Sequence, residues 1–471
     1  MQFLSIEFLC FLTVTSASVR ACPPRWRSHL LLITSYLFYC TWSVKMAAIL
    51  LAVTVFCYFA GLWLVDPRRR AVAPVIAFGA VSLLTLYLVS FKVRPLLHLA
   101  GNPLLPLGIS YYVFRLISYL LDVYWGKCDA VDDFVSFAAY VAFFPQMIAG
   151  PIQRASSLIP QLQNQHAGNG RSLEGLVRMA LGFAKKSLVA DNLGLFVGWA
   201  YGHLHSGSAL PSLVALYLYP LQLYADFSGL ADIAIGAGLL LGIEAPENFD
   251  APFTAQSITE FWRRWHITLT SWIRDYVFIP LRMATRNLGN VGLALSLTVN
   301  MVLIGLWHGF TLGFLAYGLF QGVFLVGDVL TRSKRHEYYK HSPALTRLAT
   351  LTGPIFVYHV IAIGSVFFRA PSMGAVTQLF AGFGSGLHQA RVALGALTAP
   401  PNHHAWVALP AYALTAIADG YRRRYGVRLP ALGPRSLQWS AYACVAVMWI
   451  LIALTLLASE KGANPFVYAF F

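Results

Sequence analysis

The stretch VGLALSLTVNMVLIGLWHGFTLGFLAYGLFQGVFLVG (291–327) contains no Asp, Glu, Lys or Arg. It is close to twice the roughly 20 residues that a helix needs to cross a bilayer. Arg286 precedes it and the basic segment TRSKRHEYYKH (331–341) follows it. Cationic flanks at both ends of one long apolar run describe a hairpin that enters and returns, with both ends in the cytoplasm. The candidate crossings are 291–307 and 310–330, and His308 falls at the turn between them. At about 1.5 Å per residue the imidazole lies on the order of 25–30 Å from the entry face. Gly305 and Gly309 flank it, which allows a helix break or a close helix approach there.

The same pattern extends along the chain. Of 471 residues, 58% are hydrophobic and only 11% charged, against roughly 25% charged in soluble domains. Apolar runs recur from 3–19 to 437–458, among them 133–150, 176–200, 209–227, 229–243, 351–368 and 404–418. Several are too short or too polar to cross alone, so about ten to twelve crossings are expected. The short alternating segments of a barrel do not occur. The fold class is therefore an all-α polytopic transmembrane bundle, treated as one integral membrane domain over 1–471. The first run carries Glu7 and lacks a basic start, so it reads as a first helix rather than a secretory signal.

The formal net charge is +15. The basic residues sit between apolar runs, where positive-inside bias and anionic headgroups account for them without nucleic acid. Arg20, Arg25 and Arg27, then Arg68, Arg69 and Arg70, alternate with a loop holding only Lys45, which places the two rich loops in the cytoplasm. The segment FWRRWHITLTSWIRDYVFIPLRMATR (261–286) mixes Arg and Trp too densely to cross and fits an interfacial helix on that face. The basic loop YRRRYGVR (421–428) is expected there as well. The six cysteines include no CxxC pair, and no HExxH spacing occurs, so neither a disulfide framework nor a metal site is expected.

His308 is either a structural histidine bonded to a neighbouring helix or a functional group, since ionisable residues inside membranes are expensive to place. His359, in FVYHVIAIG, poses the same choice, and His266, in WRRWH, is either solvated or functional. His98, His203, His205, His388, His403 and His404 fall in or near loops and read as solvated. Asp226 and Asp232, in LYADFSGLADIAIG (223–236), are six residues apart and point to different helix faces, so they do not share one substrate. Packing against a neighbouring helix is the favoured reading; orienting a histidine is the alternative for Asp226. No GxSxG, P-loop or dinucleotide fingerprint is present. A proton-coupled secondary transporter remains a rival class, although no second copy of WRRWH or GLWHG marks an inverted repeat.

Read in order, PLGISYYVFRLISYLLDVYWG (106–126), FFPQMIAGPIQR (143–154), YADFSGLADIAIG (224–236), PENFDAPFTAQSITEFWRRWHITLTSWIRDYVFIPL (246–281) and LIGLWHG (303–309) resemble the membrane-bound O-acyltransferases. The resemblance is to their bacterial branch, which includes alginate O-acetyltransferase membrane subunits and teichoic acid D-alanyltransferases. It covers a motif-bearing core of about 100–330; the flanking helices over 1–100 and 350–460 match only in hydropathy. RMATRNLGN replaces the Gly-Gly-Asn turn common in alginate-type members and, with GISYYVFR, leans toward D-alanyl transfer, whereas FFPQMIAGPIQR leans toward acetyl transfer.

The resemblance implies a ring of tilted helices around a central funnel or tunnel, with His308 as the essential histidine and His266 as that of the WRRWH motif. It implies transfer of an acyl group, acetyl by first expectation, from a cytoplasmic thioester to a hydroxyl of an exported polysaccharide such as alginate. Acetyl-CoA or an acyl carrier protein would supply the group, and an extracytoplasmic partner would receive it or relay it, in the cell inner membrane. On this reading an apolar setting keeps His308 neutral as general base, because an uncharged imidazole is the form that survives loss of water. Arg263, Arg264 and Arg274 would meet donor phosphates, each with lipid headgroups as the competing partner. Trp262, Trp265 and Trp307 would wall the substrate path, with Asp226 beside it.

Overall fold

The computed structural model describes residues 3–93, 106–148, 150–164, 171–204, 209–383 and 405–425, together with Trp449 and Ile452. Most of the candidate span 437–458, residues 426–428 of the basic loop 421–428, and His98, His205, His388, His403 and His404 lie outside the described residues. The architecture is helical. Among the described residues the only β pairing is one isolated bridge, Phe249 with Trp265. Among the described residues six helices are long and apolar enough to cross a membrane, which makes this a multi-pass membrane protein. The chain divides into two compact units, one of residues 1–183, 229–247 and 427–469, the other of 184–228, 248–426 and 470–471.

In the first unit the helices are α1 (Ile6–Ala21), α2 (Pro24–Cys40), α3 (Val44–Val65), α4 (Ala73–Val93), α5 (Ile109–Tyr124), α6 (Phe134–Ala142), α7 (Ala155–Gln163) and α8 (Ser172–Ala184). Val75, Leu83 and Leu86 of α4 are exposed, an arrangement that carries no penalty where lipid replaces water. The expected crossing at 133–150 ends early: α6 stops at Ala142 and a short 3₁₀ turn follows at Phe144–Gln146, because Pro145 cannot donate the backbone bond that continues an α-helix. That turn supplies a polar staple. Arg115, fully buried in α5, donates to the Tyr140 carbonyl at 2.9 Å and to Gln146 Oε1 at 2.5 Å, and Gln146 Nε2 donates to Gln153 Oε1 at 2.8 Å. A guanidinium buried this deeply requires such acceptors. Two of the sequence motifs thus serve to knit α5 to the chain after α6. Gly108 starts α5 with φ +65°, and a side chain there would run into the Met147 carbonyl, so only glycine fits.

Following α8, a π-helical stretch at Lys185–Ala190 leads into α9 (Asp191–Gly202), and α10 runs from Ala209 to Leu240. The sequence suggested two spans, 209–227 and 229–243; α10 is instead one helix with Pro220 inside it. Gly229 and Gly236 are part of the reason. In the first unit they lie against Gly182 and Gly175 of α8, so close that a Cβ at any of three of these positions meets the facing backbone. They are helix-packing glycines, not breakers. Arg178 of α8 donates to Asp232 at 3.0 Å and pairs with Glu247.

The second unit continues with α11 (Ile258–Arg264), α12 (Ile267–Ile273), α13 (Ile279–Ala284), α14 (Gly289–His308), α15 (Leu312–Lys340), α16 (Pro343–Arg369), α17 (Met373–Gly382) and α18 (Ala405–Tyr425). The expected hairpin is α14 and α15, turning at 309–311 immediately after His308. Gly305 packs onto the Phe314 backbone, and a Cβ on Gly318 would come 2.6 Å from Val302 Cα, so small residues let the two helices touch. The Thr311 side chain caps α15 by accepting from the Phe314 N–H.

Candidate active site

The segment 261–286, expected as one interfacial helix, is broken. Ser257 caps α11 by accepting the Glu260 N–H at 3.1 Å, and the Glu260 carboxylate accepts from the Gln256 N–H at 2.7 Å, a near relative of the capping box. After Arg264 the helix stops. Trp265 is extended, and His266 takes the left-handed conformation at φ 44°, ψ 53° before α12 begins. The residues of the PENFD stretch cause the break: Asp250 N–H donates to the Arg264 carbonyl at 3.0 Å and Ile267 N–H to the Asn248 carbonyl at 2.9 Å. A left-handed non-glycine residue costs on the order of 1–3 kcal/mol and persists only where its surroundings over-determine it. Here the backbone bonds on both sides of His266 do so.

His266 is 1% exposed. Its Nδ1 lies 3.3 Å from Asn248 Oδ1, and its ring meets Phe227 edge-on at 4.6 Å between centroids. Burial pushes the imidazole pKa down to about 3, because the enclosure offers the cation too little in place of water. At neutral pH the ring is uncharged. The Trp307 indole stands 5.9 Å from it.

The same indole lies 4.5 Å between ring centroids from His308, the last residue of α14. Phe368 of α16 packs edge-on against His308 at 4.6 Å and Phe314 of α15 stacks at 6.0 Å. The His308 side chain keeps only 9% of its exposure. The two sequence histidines therefore both contact one tryptophan and are surrounded by aromatic rings.

Beside them is a small pocket of about 20 Å³, lined by Pro220, Leu223, Phe261, Trp265, Tyr317, Ile361, Ser365 and Phe368. Phe368 is its link to His308, and Trp265, next to His266, forms another wall. Its lining contains no charged side chain. The Ser365 hydroxyl is committed to the Ala362 carbonyl at 2.7 Å.

The remaining candidates fall in different places. Trp262 and Trp307 are buried, and Trp265 is buried and stacked on Phe261 at 5.5 Å. Arg263 is exposed, and Arg274, mostly exposed, donates to its neighbour Asp275 at 2.8 Å. Arg264 pairs with Glu260 and donates to Thr254 Oγ1 at 2.8 Å. None of these arginines lines the pocket. Asp226 is fully buried and accepts from Lys186 Nζ at 2.9 Å; the same ammonium meets Asp191 at 2.8 Å. Lys185 donates to both oxygens of Asp419 at 3.0 Å. His359 is exposed, and its Nδ1 lies 2.7 Å from the Ile355 carbonyl one turn back. His203 stands in the same relation to Trp199 at 2.8 Å.

Sequence reasoning missed Asn248, Tyr317 and Phe368. Asn248 lay inside the PENF motif, yet only folding brings it to His266. Nothing in the local sequence of Tyr317 or Phe368 separates them from lipid-facing aromatics.

A profile of the membrane-bound O-acyltransferase family matches residues 131–368. The probable alginate O-acetylase of Azotobacter vinelandii is 36% identical over 81% of this chain and 77% of its own length. That of Pseudomonas putida is 32% identical over 94% of each chain. The teichoic acid D-alanyltransferase of Streptococcus thermophilus is 32% identical over 54% of this chain and 64% of its own. With the family profile covering the two histidines and the aromatic pocket beside them, the chain belongs to the membrane-bound O-acyltransferase family, a multi-pass enzyme that moves an acyl group to a hydroxyl.

Proposed function

We propose that the protein transfers an acetyl group from a cytoplasmic thioester, acetyl-CoA or an acyl carrier protein, to a hydroxyl of an exported polysaccharide in the cell inner membrane. An alginate-like polymer fits the acceptor named for the relatives in Azotobacter and Pseudomonas. An extracytoplasmic partner that relays the group outward is part of the same reading.

In the reaction the acceptor oxygen attacks the thioester carbonyl carbon, the C–O bond forms and the C–S bond breaks. His308 takes the hydroxyl proton and returns it to the leaving thiolate. An imidazole with 9% exposure is protected from bulk water, which would otherwise hydrolyse the thioester. Trp307 and Phe368 hold its ring in place on two sides.

The observation that carries the choice of acyl group is the chemistry of the pocket wall. Eight residues enclose it and none is charged. An acetyl methyl is at home there. The ammonium of a D-alanyl group would be desolvated without a carboxylate to meet it, at a cost of several kcal/mol. This favours acetyl over D-alanyl transfer despite the D-alanyltransferase relative.

The test is reconstitution of the purified protein in proteoliposomes with labelled acetyl and D-alanyl thioester donors and a soluble polysaccharide acceptor, supplemented with periplasmic extract. Acetyl ester formation, at least 100-fold faster than D-alanyl ester formation, is expected. Equal or faster D-alanyl transfer refutes the acyl assignment. Accumulation of a solute with no donor present, in place of ester formation, returns the chain to the transporter class.

A further inference from the structure

Asn248 is fully buried, and its side-chain oxygen is the meeting point of three groups. Thr268 Oγ1 donates to it at 2.7 Å, the Thr268 backbone N–H at 3.3 Å, and His266 Nδ1 lies at 3.3 Å. Donor and acceptor chemistry fixes both the orientation of the carboxamide and the tautomer of the ring. A backbone N–H is a donor in every state, so the carboxamide atom facing Thr268 must be an acceptor, which is the oxygen. An oxygen accepts only, so the His266 nitrogen facing it must carry the proton. We infer that Asn248 is a positioning residue that locks His266 as the Nδ1–H tautomer, which puts the basic lone pair of the ring on Nε2.

Two further observations fit this role. The Asn248 Nδ2 is buried with no hydrogen-bond partner among the described residues. An orphaned amide donor costs about 1–3 kcal/mol, a cost set against the bonds that the side-chain oxygen accepts. The Asn248 backbone works toward the same end, since its carbonyl accepts the Ile267 N–H at 2.9 Å and holds His266 in its left-handed conformation. Side chain and backbone of one residue fix both the ring's tautomer and its direction. A histidine side chain in water favours the opposite, Nε2–H form, so the tautomer reports on the partner at Nδ1. The link to catalysis rests on the acyl-transfer reading above; the tautomer itself does not.

The experiment uses the full chain in lipid nanodiscs with ¹⁵N-labelled histidine, the His266 resonances being assigned by difference from His266→Gln. The wild type is expected to show a protonated Nδ1 and a bare Nε2 at neutral pH. Asn248→Leu should shift the ring toward the Nε2–H form and lower kcat about 10- to 100-fold, with KM for the thioester within threefold, in the range seen when an orienting partner is lost. Asn248→Asp keeps the acceptor and should keep Nδ1 protonated. A wild-type ring protonated on Nε2 overturns the inference, even if both variants fail to fold. An Asn248→Leu protein that retains the wild-type tautomer also overturns it. Neither result requires an acyl donor, so failure of the acyl-transfer reading would be seen separately.

Discussion

Replacing His308 with glutamine isolates the proposed base. The amide keeps a planar polar group of similar reach but lacks a basic lone pair. General base catalysis contributes about 10²–10⁴ in rate, which is on the order of 3–5 kcal/mol at about 1.4 kcal/mol per tenfold. The upper half of that range applies, because a side chain 9% exposed between Trp307, Phe314 and Phe368 leaves little room for bulk water to act instead. The cost in folding should be small. His308 is the last residue of α14, and the α14–α15 joint is held by Gly305 against the Phe314 backbone and by the Thr311 cap. The thermal midpoint in detergent should therefore move by less than about 4 °C. Single-turnover transfer of labelled acetyl from the thioester should fall at least about 10³-fold, with donor KM changed less than threefold, as expected when an interaction of the transition state alone is removed. A variant retaining more than a tenth of wild-type turnover refutes the assignment. So does a loss of activity that merely tracks loss of folded protein.

Three further outcomes are expected. Phe368→Ala removes the ring shared by His308 and the pocket; relative turnover of propionyl over acetyl donor should rise by about tenfold, the scale of one methylene in an apolar site, and an unchanged ratio would place the acyl group elsewhere. Lys186→Met leaves Asp226 and Asp191 without their shared cation and should destabilise by about 3–5 kcal/mol, with Asp226→Asn in the same chain recovering part of the loss in thermal unfolding. The third concerns pH. His266, outside the spanning helices, has its folded pKa held by burial at about 3, below the ordinary value of about 6.5. The unfolded chain alone takes up the proton between these values, so this contribution is whole above pH 6.5 and is lost as pH falls toward 3. The thermal midpoint of the wild type should drop more steeply between pH 7 and 4 than that of His266→Asn; parallel curves would contradict it.

The membrane class and the α14–α15 hairpin were legible in the linear sequence because hydropathy and the placement of Arg and Lys are local properties that a bilayer reads directly. The motifs carrying His266 and His308 were legible for a related reason, since each is a short run whose composition is rare on an apolar background. Element boundaries were less so. The apolar runs 209–227 and 229–243 read as two spans, yet α10 is one helix through both, because whether a glycine such as Gly236 ends a helix or admits a neighbour depends on what lies opposite.

The site itself was decided by tertiary structure. That the His266 ring meets Trp307, and that it meets Asn248, follows from contacts between residues far apart in the chain. The same is true of Phe368, 60 positions from the His308 ring it covers. Lys185 and Lys186 look like ordinary basic residues in sequence, and only folding shows the first buried against Asp419 and the second between Asp226 and Asp191. The physical reason is common to all of these. A residue type sets which partners a side chain will accept, but burial and direction are set by whichever helix folds against it.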